Sequence, residues 1–228
     1  MNKPAEELEG IIGYSFTNKQ LLETALTHSS YINESREQGT HDNERLEFFG
    51  DAIIEFHVSE FLFNKFKDFP EGDLTKTRAS MVCESALAQC AKAIDLGSFI
   101  RMGKGEEMSG GRERASITSD AFEALTAAIY LDSGRENTKT FIDKHLLDCL
   151  KDKQLFFDAK TRLQELIQKD PSNVLRYEMV GEEGPIHNRT FIAAAYLNDV
   201  EIGRGRGHSK KDAQQQAAYN AISALSEK

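Results

Sequence analysis

The chain has 228 residues, 39% hydrophobic and 29% charged, with three cysteines, a composition that excludes an intrinsically disordered chain and a disulfide-built one. No apolar run approaches the roughly 18 residues of a membrane helix. The opening MNKPAEELEGIIGYSF has no basic stretch followed by an apolar one, so a cytoplasmic protein without a membrane partner is expected. Of the 28 Lys+Arg and 37 Asp+Glu, ten of each fall from residue 157 onward, so residues 1–156 carry 18 and 27 and hold the whole net charge of −9. An acidic part is joined to a neutral part whose bases are free to cluster.

In chain order, residues 4–32 read as helical segments around Gly13, with Leu21, Leu22, Ala25 and Leu26 on one helix capped by Asn18 or Thr17. His28 in that region reads as a hydrogen-bonded packing residue rather than a ligand. The polar loop SREQGT follows, and then HDNERLEFFGDAIIEF, residues 41–56, a helix with two stripes. Glu44, Glu47, Asp51 and Glu55 recur at helical spacing on one face and Leu46, Phe49 and Ile53 on another, with Asn43 or Asp42 as the cap. The apolar spacing continues to Phe66 and stops at KDFPEGD. A single helix is predicted from Asp73 or Thr75 to a C-cap at Gly97; it carries both Cys83 and Cys90, roughly 10 Å apart and too distant for a disulfide. Residues 101–116, RMGKGEEMSGGRERAS, read as a loop, and not as a phosphate-binding P-loop, because Lys104 is followed by Gly105 and Ser98 stands at the first glycine position. Helices are expected over residues 119–131, beginning at Ser119 or Asp120, and over residues 136–150, with no strand before residue 150. The pattern then changes. A short helix at residues 161–168, strands at 175–180, 189–197 and 201–203, and an Ala- and Gln-rich helix at 210–225 give α-β-β-β-α, a sheet covered on one face. The expected division is residues 1–150, a linker at 151–157, and residues 158–228.

Like charges one turn apart on a helix repel by a few tenths of a kcal/mol per pair, so the acidic stripe asks for a cation. Glu47 with Asp51 and Asp120 with Glu123 are two such pairs on two helices; if these pack side by side, four carboxylates converge. Oxygen ligands without His or Cys suit Mg²⁺ or Mn²⁺, and Mg²⁺ shares its shell with phosphates, so phosphodiester hydrolysis is the natural chemistry. A di-iron bundle needs Glu-x-x-His, and none of the six histidines has Glu three residues before it.

NERLEFFGDA closely resembles the ribonuclease III motif, and PEGDLTKTRA, GKGEEMSGGRERASI and SDAFEALTAAIYLDSG resemble its further blocks in the expected order. The resemblance implies an all-α endonuclease domain of the ribonuclease III fold, with Glu47, Asp51, Asp120 and Glu123 as metal ligands and Asp51 and Glu123 foremost in catalysis. It also implies Glu44 and Glu71 as supporting acids, and a homodimer in which Phe48 enters a socket on the partner and each subunit cuts one strand of double-stranded RNA. The products would carry 5′-phosphate and 3′-hydroxyl ends with a short 3′ overhang. Gly50 would allow close helix approach, and Thr126-Ala127 departs from the family's usual Ile-Gly. The C-terminal part, with KTRLQELIQ, EEGPIHNRTF and GRGRGHSKKDAQQQAA, resembles the double-stranded-RNA-binding domain, an α+β unit. That implies Thr161, Gln164, Glu165 and His187 in successive minor grooves and Lys210 and Lys211 across the intervening major groove. Independently, Ser209 with Asp212 makes a capping-box-like helix start beside these lysines, with Arg204 and Arg206 expected to add to a basic patch. A non-catalytic RNA binder has no reason to keep the acids, and a protein-only scaffold leaves the SKK helix start unexplained.

Overall fold

Helices fill the chain to residue 150 and a sheet follows, as the hydrophobic spacing predicts. The computed structural model describes residues 3–35, 39–67, 69–150, 159–170, 172–185 and 189–226, and the chain divides into two units, Met1–Leu150 and Lys151–Lys228. The expected linker, residues 151–157, lies outside the described residues.

The first unit contains α1 (Ala5–Ile12), α2 (Lys19–Ala25), α3 (Ser29–Ser35), α4 (Glu44–Lys65), α5 (Glu71–Val82), α6 (Glu84–Ala93), α7 (Lys104–Met108), α8 (Ala115–Ser133) and α9 (Arg135–Ile142). Short 3₁₀ turns at Leu96–Ser98 and Gly111–Glu113 and a π turn at Asp143–Leu147 complete it. Asn18 caps α2, its side chain accepting the Gln20 N–H at 3.1 Å. The core gathers around α8, in which Ala121, Phe122, Ala124, Leu125, Ala127, Ala128 and Ile129 have no exposed surface. A helix apolar on nearly every side must sit in the middle. Thr126 is buried there too, and its hydroxyl donates to the Phe122 carbonyl at 2.9 Å, so the departure from the family pattern leaves no unpaired group. Asp132, at the far end of α8, accepts the Tyr14 hydroxyl at 2.6 Å and the Thr17 and Asn18 N–H groups at 2.9 and 2.8 Å, tying the N-terminal segment to the central helix.

Five expectations change. The single helix to Gly97 is two helices: α5 starts at Glu71 behind Pro70, and Cys83, at ψ 155°, leaves the helical region before α6 begins. No glycine or proline marks that break, so periodicity runs through it. Gly97 is not a C-cap but lies in a 3₁₀ turn, where a Cβ would stand 2.2 Å from the Arg112 carbonyl oxygen. The expected loop at 101–116 holds α7 and a 3₁₀ turn, because Glu34 accepts the Lys104 and Gly105 N–H groups at 2.8 and 3.2 Å and caps α7 from a distant part of the chain. The helix expected from Ser119 or Asp120 begins earlier, at Ala115, and the last one gives way to the π turn after Ile142. The three cysteines are free. No helix among the described residues is long and apolar enough to cross a membrane.

The second unit runs α10 (Ala159–Ile167), β1 (Leu175–Glu183), β2 (Thr190–Leu197), β3 (Val200–Gly207) and α11 (Lys210–Ser226). The strands form an antiparallel sheet in the order β1-β2-β3, with a bulge between Met179 and Gly181. Asn198 and Asp199, both at positive φ, turn β2 into β3. Strand β3 runs on to Gly207, past its expected end at Gly203. Its alternating glycines serve contact: a Cβ at Gly203 or Gly205 would stand 2.3 or 2.2 Å from the backbone of Ala217. Helix α11 lies directly on the strand, and buried Ala213, Ala217, Ala218 and Ala221 make that approach possible.

Candidate metal centre and RNA interface

The acids meet where α4 crosses α8. Leu46, Ile53 and Ile54 bury one side of α4, and Gly50 brings its backbone against α8, where a Cβ would lie 1.9 Å from the Glu123 carbonyl oxygen. At that crossing Glu47 from α4 and Asp120 and Glu123 from α8 each offer a carboxylate oxygen, all within 4.8 Å of one another. The three are half-buried. Burial, joined by the charges of Asp51, Asp120 and Glu47, pushes the Glu123 carboxyl up to about 8. Burial also raises Glu47, with Asp120, Glu44 and Asp51 adding to it. For Asp120 burial again leads upward; the Ser119 hydroxyl and the charge of His28 oppose it and that of Glu84 adds to it. Three carboxylates that burial and neighbouring acids hold toward neutrality are three that a divalent cation would let ionise.

The expected residues divide as follows. Glu47, Asp120 and Glu123 come together. Asp51 is exposed one turn further along α4, beside the trio rather than within it, yet its charge is the foremost among those acting on Glu123. Glu44 is exposed at the start of α4 and acts on Glu47. Glu71 lies in the first turn of α5, accepts the Thr75 hydroxyl at 2.8 Å, and borders a groove of about 510 Å³ between α4 and α5 that Phe56, Leu62, Phe63 and Leu74 also line. Phe48 is 82% exposed on α4. His28, expected as a packing residue, has Nδ1 2.8 Å from the Ser30 hydroxyl and also faces Asp120. Asn43 was legible only as a cap, but it is buried at the base of the acidic stripe and its side chain caps nothing.

In the second unit Thr161, Gln164 and Glu165 are exposed on α10, on the face opposite the buried Leu163 and Ile167. His187 lies outside the described residues. Lys210 and Lys211 are exposed in the first turn of α11. The capping box forms: the Ser209 hydroxyl accepts the Asp212 N–H at 3.1 Å and donates to the Asp212 carboxylate at 2.7 Å. Arg204 and Arg206 depart from expectation. They alternate with the glycines that face α11, so they project from the other side of the sheet and pair with Glu201 and Glu183 at 2.8 and 3.3 Å. Lys160 is tied to α11 near Lys211: its backbone N–H donates to Gln215 and its ammonium to Gln214, and burial and the charge of Lys211 hold that ammonium below the usual lysine range. Sequence alone gave no sign that this lysine joins two helices, since the contact spans 54 residues.

Comparison with known proteins places both units. A model described as ribonuclease-III-like matches residues 18–150, and one for the double-stranded RNA binding motif matches residues 159–225. A Ribonuclease 3 of Listeria monocytogenes is 44% identical over 223 residues, covering 96% of this chain and 97% of its own. One from Bacillus cereus is 47% identical over 218 residues, covering 95% and 89%. The nuclease domain of ribonuclease III from Campylobacter jejuni, described for structural flexibility in a region involved in dimer formation, is 42% identical with a TM-score of 0.60, covering 65% of this chain and 99% of its own. With a helical nuclease unit, an RNA-binding α+β unit and relatives alike over nearly its full length, the chain belongs to the ribonuclease III family, enzymes that cut double-stranded RNA.

Proposed function

We propose that cleavage depends on a divalent cation, Mg²⁺ with Mn²⁺ as substitute, held by Glu47, Asp51, Asp120 and Glu123, with Asp51 and Glu123 nearest the reaction and Glu44 and Glu71 in support. The observation that carries this reading is the meeting of three carboxylates within 4.8 Å on two helices. The donor set fits such an ion, being all hard oxygen without His or Cys. A bound cation supplies charge neutralisation at the phosphodiester and a lowered pKa for the attacking water. The chain's own part is to present the acids at one point and to exchange protons there. Glu123, held near 8, would have to lose its proton to ligate such an ion, so affinity should rise with pH.

On this reading residues 1–150 cut and dimerise, residues 151–157 connect, and residues 158–228 hold the duplex. Thr161, Gln164, Glu165 and His187 read the minor groove, and Lys210 and Lys211, joined by Lys160, bridge phosphates. The protein acts in the cytoplasm as a homodimer, each subunit cutting one strand of structured precursors such as ribosomal RNA. The products carry 5′-phosphate and 3′-hydroxyl ends with short 3′ overhangs. Dimerisation is supported by α4 itself, which carries the protruding Phe48 and one wall of the apolar groove at Phe56 and Phe63. A knob and a groove on the same helix suit an isologous two-fold contact. The test is an end-labelled perfect duplex incubated with Mg²⁺ or with EDTA. Both strands should be cut, with an offset, only with Mg²⁺, while duplex binding survives EDTA; full cleavage in EDTA refutes the cation reading.

A further inference from the structure

Asparagine at a helix N-cap ordinarily has extended backbone and turns its side-chain oxygen onto the free N–H groups of the first turn. Asn43, at the start of α4, does neither. Its backbone is already near-helical (φ −87°, ψ −6°), and its side chain makes no capping bond. The main chain is clamped from two sides: its N–H donates to the Thr27 carbonyl at 2.9 Å, and its carbonyl accepts the Glu47 N–H at 2.8 Å. Thr27 is bridged in turn to Arg101, so Asn43 is fixed to the N-terminal segment as well as to α4. The side chain is 2% exposed, and its Nδ2 has no acceptor. A buried amide donor left unpaired is costly and rare, which points to an acceptor that another state of the site supplies.

The acidic side chain one turn further along α4 is Glu47. It follows Asn43 by one helical turn, and helical side chains lean toward the N-terminus, so Glu47 lies over the turn that Asn43 begins. Amide–carboxylate contacts are favourable at that spacing. Carboxylates that ligate a metal are themselves held by hydrogen bonds, and removing such a partner weakens the metal. We infer that Asn43 is a positioning residue of the acidic centre: with a cation bound, its Nδ2–H would donate to the Glu47 oxygen turned away from the ion and hold Glu47 beside Asp120 and Glu123, where it already stands. This inference rests on the divalent-cation reading above.

The test is a Mn²⁺ titration of the full chain followed by electron paramagnetic resonance, without RNA, comparing wild type with Asn43→Leu, Asn43→Ala and Glu123→Gln. Leucine keeps the volume and removes the donor; alanine covers the case in which leucine disturbs packing. Circular dichroism melts in EDTA accompany each. Mn²⁺ affinity per folded chain should fall roughly 10- to 100-fold in the Asn43 variants. Their melting in EDTA should be unchanged or higher, and the Mg²⁺ concentration for half-maximal cleavage should rise by a similar factor. Binding within twofold of wild type overturns the assignment, as does a lower melting temperature with wild-type affinity, which would make Asn43 a structural residue only. If wild type binds Mn²⁺ no better than Glu123→Gln, the cation reading itself fails, and the two failures are told apart in one experiment.

Discussion

Replacing Glu123 with glutamine should stabilise the cation-free enzyme, by an amount that depends on pH. The perturbation keeps the shape of the side chain and removes its titration. In the folded chain the Glu123 carboxyl titrates at about 8 against an ordinary value of 4.5. A raised folded value means that the folded state holds the proton more tightly. The stability this proton contributes is fully present below about 4.5 and is lost as pH rises through about 8. At 1.36 kcal/mol per unit, the shift corresponds to at most ~4.8 kcal/mol. Glu123 is only half-buried, so solvent screening reduces this to ~1–3 kcal/mol. Near pH 9 in EDTA, Glu123→Gln should therefore melt higher than wild type, by about 3–10 °C for a unit of this size. The two should converge below about pH 4.5. Added Mg²⁺ should reverse the order at pH 8, because only wild type regains the paired carboxylates. The chain has no tryptophan, so the melt is followed by circular dichroism at the helical band rather than by intrinsic fluorescence. Equal melting of the two proteins at pH 9 in EDTA would refute the argument that Glu123 sits among uncompensated like charges.

Gly50→Ala places a methyl 1.9 Å from the Glu123 carbonyl oxygen and must part α4 from α8. It should cost about 1–3 kcal/mol in a urea melt and weaken Mn²⁺ binding; wild-type stability with wild-type binding would show that the helix crossing tolerates a side chain. Lys210→Ala with Lys211→Ala should weaken duplex binding in filter assays and lower the salt slope by about 2, if each holds one phosphate as proposed; an unchanged slope would take the lysines off the phosphates. On the proposed dimer, Phe48→Ala should shift the protein toward monomer in sedimentation while leaving the melt of the monomer unchanged, because the residue is 82% exposed in the single chain; an unaltered association state would exclude Phe48 from the contact.

The acidic stripe of α4, the Asp120–Glu123 pair and the capping box at Ser209 were legible because helical spacing and cap chemistry are local: residues three or four apart share a face whatever surrounds them. The succession of strands after residue 175 followed for the same reason, from runs of alternating residues and turn signals between them. Distant contacts were not legible. Helix α7 exists because Glu34 caps it, and α5 and α6 separate at Cys83 with no breaker residue to mark it. The glycines of β3 make room for α11, and the same contact turns Arg204 and Arg206 to the far side of the sheet. The sequence by itself determined which side chains can share a helix face. Only the tertiary structure decided which of those faces meet, because at Gly50 one missing Cβ lets two backbones touch and brings Glu47 to Asp120 and Glu123, and no local pattern encodes that distance.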